Sequence, residues 1–230
     1  TLFRSFFDFF DRLLTQEKAR TEYFMMNEYI AVGVLPICAP FDFDVVLKRL
    51  PEYLKLIDCV AIGEVGIDPR SKLMPDIKDQ ENMLRKQLEI AGHANKPVSI
   101  HTPPTLNMVR EIPTKTYPYE KADIIKRDIQ IVREVGLDSS LVVIDHLEDK
   151  QQAQMVLDAG LYAGLTPQPW RSVDPIAVAS VIKELGADRI LVSSDSSYTP
   201  SDHLGVPKTA FELRKLGASE DIMDQIGRAH

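Results

Sequence analysis

Val60-Ala61-Ile62-Gly63-Glu64, Pro97-Val98-Ser99-Ile100-His101, Val142-Val143-Ile144-Asp145-His146 and Leu191-Val192-Ser193-Ser194-Asp195 share one pattern: a short apolar run that stops at a residue able to hold a metal ion. Runs this short, and mostly rich in Val and Ile, read as strands buried on both faces, the kind that parallel sheets use. The four terminal residues are separated by 37, 45 and 49 positions (64 to 101, 101 to 146, 146 to 195). Each interval holds one strand–helix unit or slightly more, since a full βαβ takes about 30 residues or more. In a closed barrel the C-terminal strand ends all face one mouth, where active sites lie. Two imidazoles and two carboxylates are therefore expected around a single cavity. An open sheet would spread them along an edge, too far apart to share an ion.

Working outward, the apolar runs are Ala31–Ile37, Cys59–Ile62, Pro97–Ile100, Leu141–Ile144, Gly160–Leu165 and Arg189–Val192, which makes six strands. Helical spacing fills the intervals. Leu84, Leu88 and Ala91 fall on one face, as do Ala153, Val156, Leu157 and Gly160, and again Val178, Val181, Ile182 and Leu185. Asp174-Pro175 is a helix start, with a capping carboxylate before a first-turn proline, and Gly186 is a stop. Phe3, Phe6, Phe7, Phe10 and Leu14 make an apolar stripe on an opening helix, read as core packing. Alternating strands and helices imply an α/β fold with a parallel sheet. The expected architecture is a TIM-type (β/α)8 barrel forming one domain over residues 1–230. Such a barrel needs eight strands, and the chain opens at Thr1 on a helix. The expectation is that the first one or two strands precede Thr1. A doubly wound open sheet would accommodate six strands as they stand and is the alternative.

The composition is ordinary for a soluble globular protein: 230 residues, 44% hydrophobic and 27% charged. A formal net charge of −7 argues against a protein that coats duplex DNA, which needs basic surface to neutralise phosphates. It leaves room for an enzyme whose metal ions supply positive charge locally. Cys38 and Cys59, the only cysteines, both sit in apolar runs and read as buried free thiols with no disulfide partner, in a reducing, cytoplasmic setting. No apolar stretch approaches the roughly 20 residues that span a bilayer, so no membrane partner is expected.

Imidazole and carboxylate together suit zinc, manganese, iron or nickel. A bound metal draws the pKa of its water from about 15.7 towards 7, and a carboxylate beside that water can take up the proton. The other histidines stand elsewhere. His93 ends a helix, His203 lies on the loop after the last strand, and His230 is terminal. Trp170 and Arg171, after the fifth strand, are candidates to stack on and pair with a substrate, and His203 to line the mouth.

Gly63-Glu64-Val65-Gly66-Ile67-Asp68 resembles the glutamate motif of the TatD-type hydrolases, within the amidohydrolase superfamily. His101-Thr102-Pro103 resembles that family's first single histidine, Asp145-His146 its second, and Ser194-Asp195 its last-strand aspartate, in the family's order. The resemblance covers roughly residues 30–215. A largely archaeal TatD-related subgroup is most similar, through Val142–His146, Tyr162-Ala163-Gly164-Leu165-Thr166 and Val206-Pro207-Lys208-Thr209-Ala210. Two departures stand out. The family's His-x-His pair on its first strand does not occur here, and Pro36-Ile37-Cys38 stands where many relatives place a histidine before proline.

The resemblance implies hydrolysis by a metal-activated water, with one or two divalent ions among Zn, Mn, Mg and Ni. In the two-ion form Glu64 bridges, His101 and His146 hold one ion, and Asp195 holds the other and accepts the proton. Asp145 faces the other side of its strand and is expected in a structural hydrogen bond. The substrate implied is a small molecule or nucleic-acid fragment, with a phosphodiester first. An amide or lactone hydrolase on the same scaffold, or a barrel that binds metal without turnover, are the alternatives. Homo-oligomerisation is left open.

Overall fold

The computed structural model describes residues 10–38, 43–105, 119–168, 173–196 and 202–227. They fall into two compact units, one of residues 1–101 with 131–141 and one of residues 102–130 with 142–230.

The first unit carries three parallel strands. These are β1 (Ile30–Val32), β2 (Cys59–Gly66) and β3 (Val98–His101), with β2 in the middle. A π-helical turn, Leu13–Glu17, runs into α1 (Lys18–Tyr23), and α2 (Phe43–Tyr53) and α3 (Ile77–Ala94) follow β1 and β2. Leu84, Leu88 and Ala91 of α3 are fully buried, which is why their helical spacing is readable, and Met83 is buried beside them. Asp76 caps α3 by accepting the Lys78 amide at 2.8 Å. Phe10 is buried edge-on to Tyr53, with ring centroids 5.5 Å apart. The rest of the phenylalanine stripe, Phe3, Phe6 and Phe7, lies outside the described residues.

β1 is shorter than the apolar run Ala31–Ile37. The cause is Gln87, buried on α3: its side-chain amide accepts the Val34 N–H at 2.7 Å and donates to the Val34 carbonyl at 3.0 Å. Both backbone groups of Val34 are thus withdrawn from the strand ladder, and the chain turns through a short 3₁₀ segment, Pro36–Cys38. That turn leaves Cys38 exposed, against the expectation of a buried thiol, whereas Cys59 is buried; both are free. β2 runs longer than expected, through Gly66, because its bulged end still pairs with β3.

The second unit repeats the design. β4 (Val142–Leu147), β5 (Tyr162–Leu165) and β6 (Ile190–Val192) are parallel, with β5 in the middle. α4 (Lys121–Val135) begins in this unit, and α5 (Lys150–Asp158), α6 (Pro175–Leu185), α7 (Gly205–Lys215) and α8 (Glu220–Gly227) complete it. Asp174 caps α6 by accepting the Ala177 amide at 2.7 Å, with Pro175 in the first turn and Gly186 after the end. Ala153, Val156, Val178 and Ile182 face inward. Among the described residues no helix is long and apolar enough to cross a membrane.

Candidate metal centre

In the first unit the candidate ligands stand at the ends of β2 and β3. The β2–β3 pairing slips between Ile62 and Val65, so Glu64 leaves the regular ladder. A slip of this kind re-aims a side chain without ending the strand. The Glu64 carboxylate comes to 3.5 Å from Nδ1 of His101, whose side chain is only 6% exposed. Gly66 has φ +136°, and a Cβ there would lie 2.6 Å from the His101 carbonyl oxygen. The second glycine of the motif is thus what lets β2 pass against the backbone of a ligand.

The other face of the His101 ring meets Asp68, which is fully buried. Nε2 of His101 lies 3.2 Å from Asp68 Oδ2. Arg70 grips the same carboxylate through Nε and Nη2, and Asp68 Oδ1 also accepts the Arg70 amide at 2.9 Å. Burial works against an Asp68 anion, but Arg70 and His101 more than offset it and hold the carboxyl well below the usual range. An Asp68 anion accepts the Nε2 proton of His101 and leaves the ring's lone pair on Nδ1, towards Glu64. Gln80 braces the arrangement from α3, accepting the Asp68 amide at 2.8 Å and donating to its carbonyl at 3.1 Å. Burial also opposes a charged His101, yet Asp68 and Glu64 raise its pKa above the ordinary imidazole value. Two carboxylates about one buried imidazole thus favour positive charge at this place, and nitrogen and oxygen donors 3.5 Å apart are the donor types a divalent metal takes. The residues fit a metal ion.

The same carboxylates, after partial burial, push up the Cys38 thiol, which belongs to the surroundings of this site.

In the second unit β4 is irregular at the corresponding place, between Ile144 and Leu147. His146 has φ +63°, a left-handed conformation that costs a residue with a bulky side chain about 1–3 kcal/mol and is held only when its surroundings insist. Asp145 Oδ1 accepts the His146 amide at 2.7 Å, so this carboxylate makes a structural hydrogen bond. The His146 ring is 1% exposed, and its Nδ1 lies 2.9 Å from the Thr166 hydroxyl. Thr166 donates to Asp145 at 3.3 Å, so it accepts from His146, and the ring carries its proton on Nδ1 and its lone pair on Nε2. Ser193 Oγ, 2.9 Å from the Thr166 hydroxyl, extends this chain.

Asp195 is the third residue after β6 and also has positive φ, at +43°. It is half-buried, and its carbonyl accepts from the buried Gln168 side chain at 3.0 Å. Within the units, then, Glu64 meets His101, while His146, near the end of β4, and Asp195, just past β6, each have a left-handed backbone. His93 lies in the last turn of α3, its Nδ1 2.8 Å from the Glu89 carbonyl. His203 is exposed on the turn before α7. Trp170 and Arg171 lie outside the described residues. Asp68 and Thr166 are the residues that sequence reasoning did not assign. Both stand in the quoted motifs, but nothing in one sequence separates a ligand from the residue that orients it.

Comparison with known proteins adds three findings. A family model of TatD-related DNases matches residues 11–210. An uncharacterized metal-dependent hydrolase of Methanocaldococcus jannaschii is 31% identical over 216 residues, which is 94% of this chain and 77% of that protein. Two solved Escherichia coli structures share the architecture. One is a TatD homolog, with TM-score 0.59 at 20% identity, covering 87% of this chain and 74% of the other. The second is a phosphotriesterase homology protein with phosphate in its active site, with TM-score 0.65 at 15% identity, covering 90% and 73%. These likenesses show the fold, that of the (β/α)-barrel hydrolases, in place of the doubly wound open sheet.

Proposed function

The chain belongs to the TatD-related DNase family, and on that footing we propose that it hydrolyses phosphodiesters with a metal-activated water, using Glu64, His101, His146 and Asp195 as metal ligands in one domain over residues 1–230. Membership makes it a metal-dependent hydrolase. The phosphodiester rests on the family's DNase members and on the phosphate held by a protein of like fold.

The observation that carries the reading is the buried His101 ring set between Asp68 and Glu64. Glu64, His101, His146 and Asp195 would hold a divalent ion from among Zn, Mn, Mg and Ni, which would supply Lewis-acid activation that brings the pKa of water from about 15.7 towards 7. Asp68 keeps the His101 proton on Nε2 and Thr166 keeps the His146 proton on Nδ1, so each ring offers a lone pair. Asp195 would take up the proton given up by the activated water. Trp170, Arg171 and His203 contact the substrate, Arg171 by pairing with phosphate oxygens. The setting is the cytoplasm, where Cys38 and Cys59 stay reduced.

The test is metal analysis of the purified chain and of three variants. His101→Ala and His146→Ala are expected to lose most bound metal, and His93→Ala to keep it. Equal metal in all three would remove the ligand assignment. A phosphodiester, an amide and a lactone, each assayed with Zn²⁺, Mn²⁺ and Mg²⁺, decide the substrate class. Turnover confined to the amide or the lactone would overturn the phosphodiester.

A further inference from the structure

Lys121 is the first residue of α4, and it is 3% exposed. A lysine this buried is rare without an anion beside it. Its Nζ lies 3.1 Å from Glu148 Oε1, and the Glu148 side chain is itself only 8% exposed. The same Nζ donates to the backbone carbonyl of His146 at 2.5 Å. Glu148 is fixed in turn, since Oε1 also accepts the Thr105 amide at 3.3 Å and its own N–H donates to Gln152 at 3.0 Å.

In a regular parallel strand the N–H and C=O of a residue go to neighbouring strands. At His146 they go to side chains: the N–H to the Asp145 carboxylate at 2.7 Å, the C=O to the Lys121 ammonium at 2.5 Å. An anion on the donor and a cation on the acceptor hold the residue at φ +63°, where a bulky side chain does not settle unaided. The β4–β5 register slips at this point, between Ile144 and Leu147.

We infer that the buried Lys121–Glu148 pair is a positioning device for His146: Lys121 fixes the backbone turn that aims the imidazole, and Glu148 cancels a positive charge that would otherwise stand beside a cation site. The inference rests on His146 being a metal ligand. Lys121 acts through His146, so its removal alters how tightly and in what geometry a metal is held.

The test uses the full chain with Co²⁺ as probe. Affinity is read by competition with a chromophoric chelator, and geometry by the visible absorption of bound Co²⁺. Lys121→Met keeps the aliphatic stem and deletes the charge. It is expected to weaken Co²⁺ binding about 10–100-fold, the usual consequence of losing a group that orients a ligand, and to shift the spectrum while the circular dichroism stays parental. Glu148→Gln keeps the shape and the Thr105 contact but leaves the ammonium uncompensated, and it is expected to weaken Co²⁺ as well. Parental affinity and spectrum in Lys121→Met overturn the inference, whatever happens to its melting temperature. If Lys121→Met does not fold, Glu148→Gln decides by the same criteria. His146→Ala is run in parallel. If it binds Co²⁺ like the parent, the ligand reading falls and this one with it. If it alone loses Co²⁺, the ligand stands and the positioning role is refuted.

Discussion

Two glycines with positive φ separate what a left-handed backbone costs from what crowding against a ligand costs. Gly136 follows α4 at φ +76°, and a Cβ built there meets nothing within 4 Å. Gly136→Ala therefore bears conformational strain alone, roughly 1–2 kcal/mol. Gly66 has φ +136°, a region open essentially to glycine only, and its Cβ would fall 2.6 Å from the His101 carbonyl oxygen and 3.3 Å from the His101 amide nitrogen. A backbone oxygen cannot swing aside as a flexible side chain can, so β2 and β3 must separate locally. That movement adds to strain already of about 1–3 kcal/mol, and a total above about 3 kcal/mol is expected, at the severe end for a point change. At about 2–4 °C per kcal/mol for a chain of this size, Gly136→Ala should lower the melting temperature by about 2–8 °C and Gly66→Ala by about 6 °C or more. The assay is thermal unfolding followed by circular dichroism, with bound metal measured well below each transition. Gly66→Ala should also lose metal, because the atoms displaced belong to His101, and Gly136→Ala should not. Equal losses of stability with metal retained in both would show that the close approach to His101 is not why a glycine stands at 66.

Asp195→Asn tests the proton acceptor. Asn keeps the size and one oxygen donor but cannot take a proton in the useful range, so turnover should fall by about 10²–10⁴-fold with at least part of the metal retained; a parental rate with metal bound would remove Asp195 from that role. Tyr53 concerns stability. Burial and its 2.9 Å hydrogen bond to Asp11 push its pKa up to about 12. The folded chain then holds this proton more tightly than the unfolded chain, whose tyrosines titrate near pH ~10. The contribution is complete below about pH 10 and is lost as pH rises towards about 12. Tyr53→Phe should flatten the fall in urea-midpoint stability across that window, and an unchanged slope in the variant would refute the coupling.

What could be read in advance follows from which interactions are local. The strands were legible because a parallel strand buried on both faces has to be apolar throughout, and the α3 and α6 faces because burial repeats with the helical period. β1 was overestimated because its end is decided 53 positions away, by Gln87 taking both backbone groups of Val34. A hydropathy pattern does not register a side-chain amide competing with a strand ladder. Cys38 came out exposed for the same reason: the turn that Gln87 permits lifts it from the apolar run it seemed to end. At the site, Glu64, His101, His146 and Asp195 stood out because an ionisable residue just beyond an apolar run is conspicuous. Asp68 and Thr166 did not, though each decides which ring nitrogen of a neighbouring histidine carries the proton. Their importance lies in a hydrogen bond across 33 and 20 positions respectively. Lys121 is the extreme case. On a helix start it reads as an ordinary solvated cation, and only the fold turns it inward onto the carbonyl of His146. Donor types are a property of the chain read residue by residue. Tautomer, aim and charge balance are properties of contacts that exist only once the chain has folded, and a metal centre needs both.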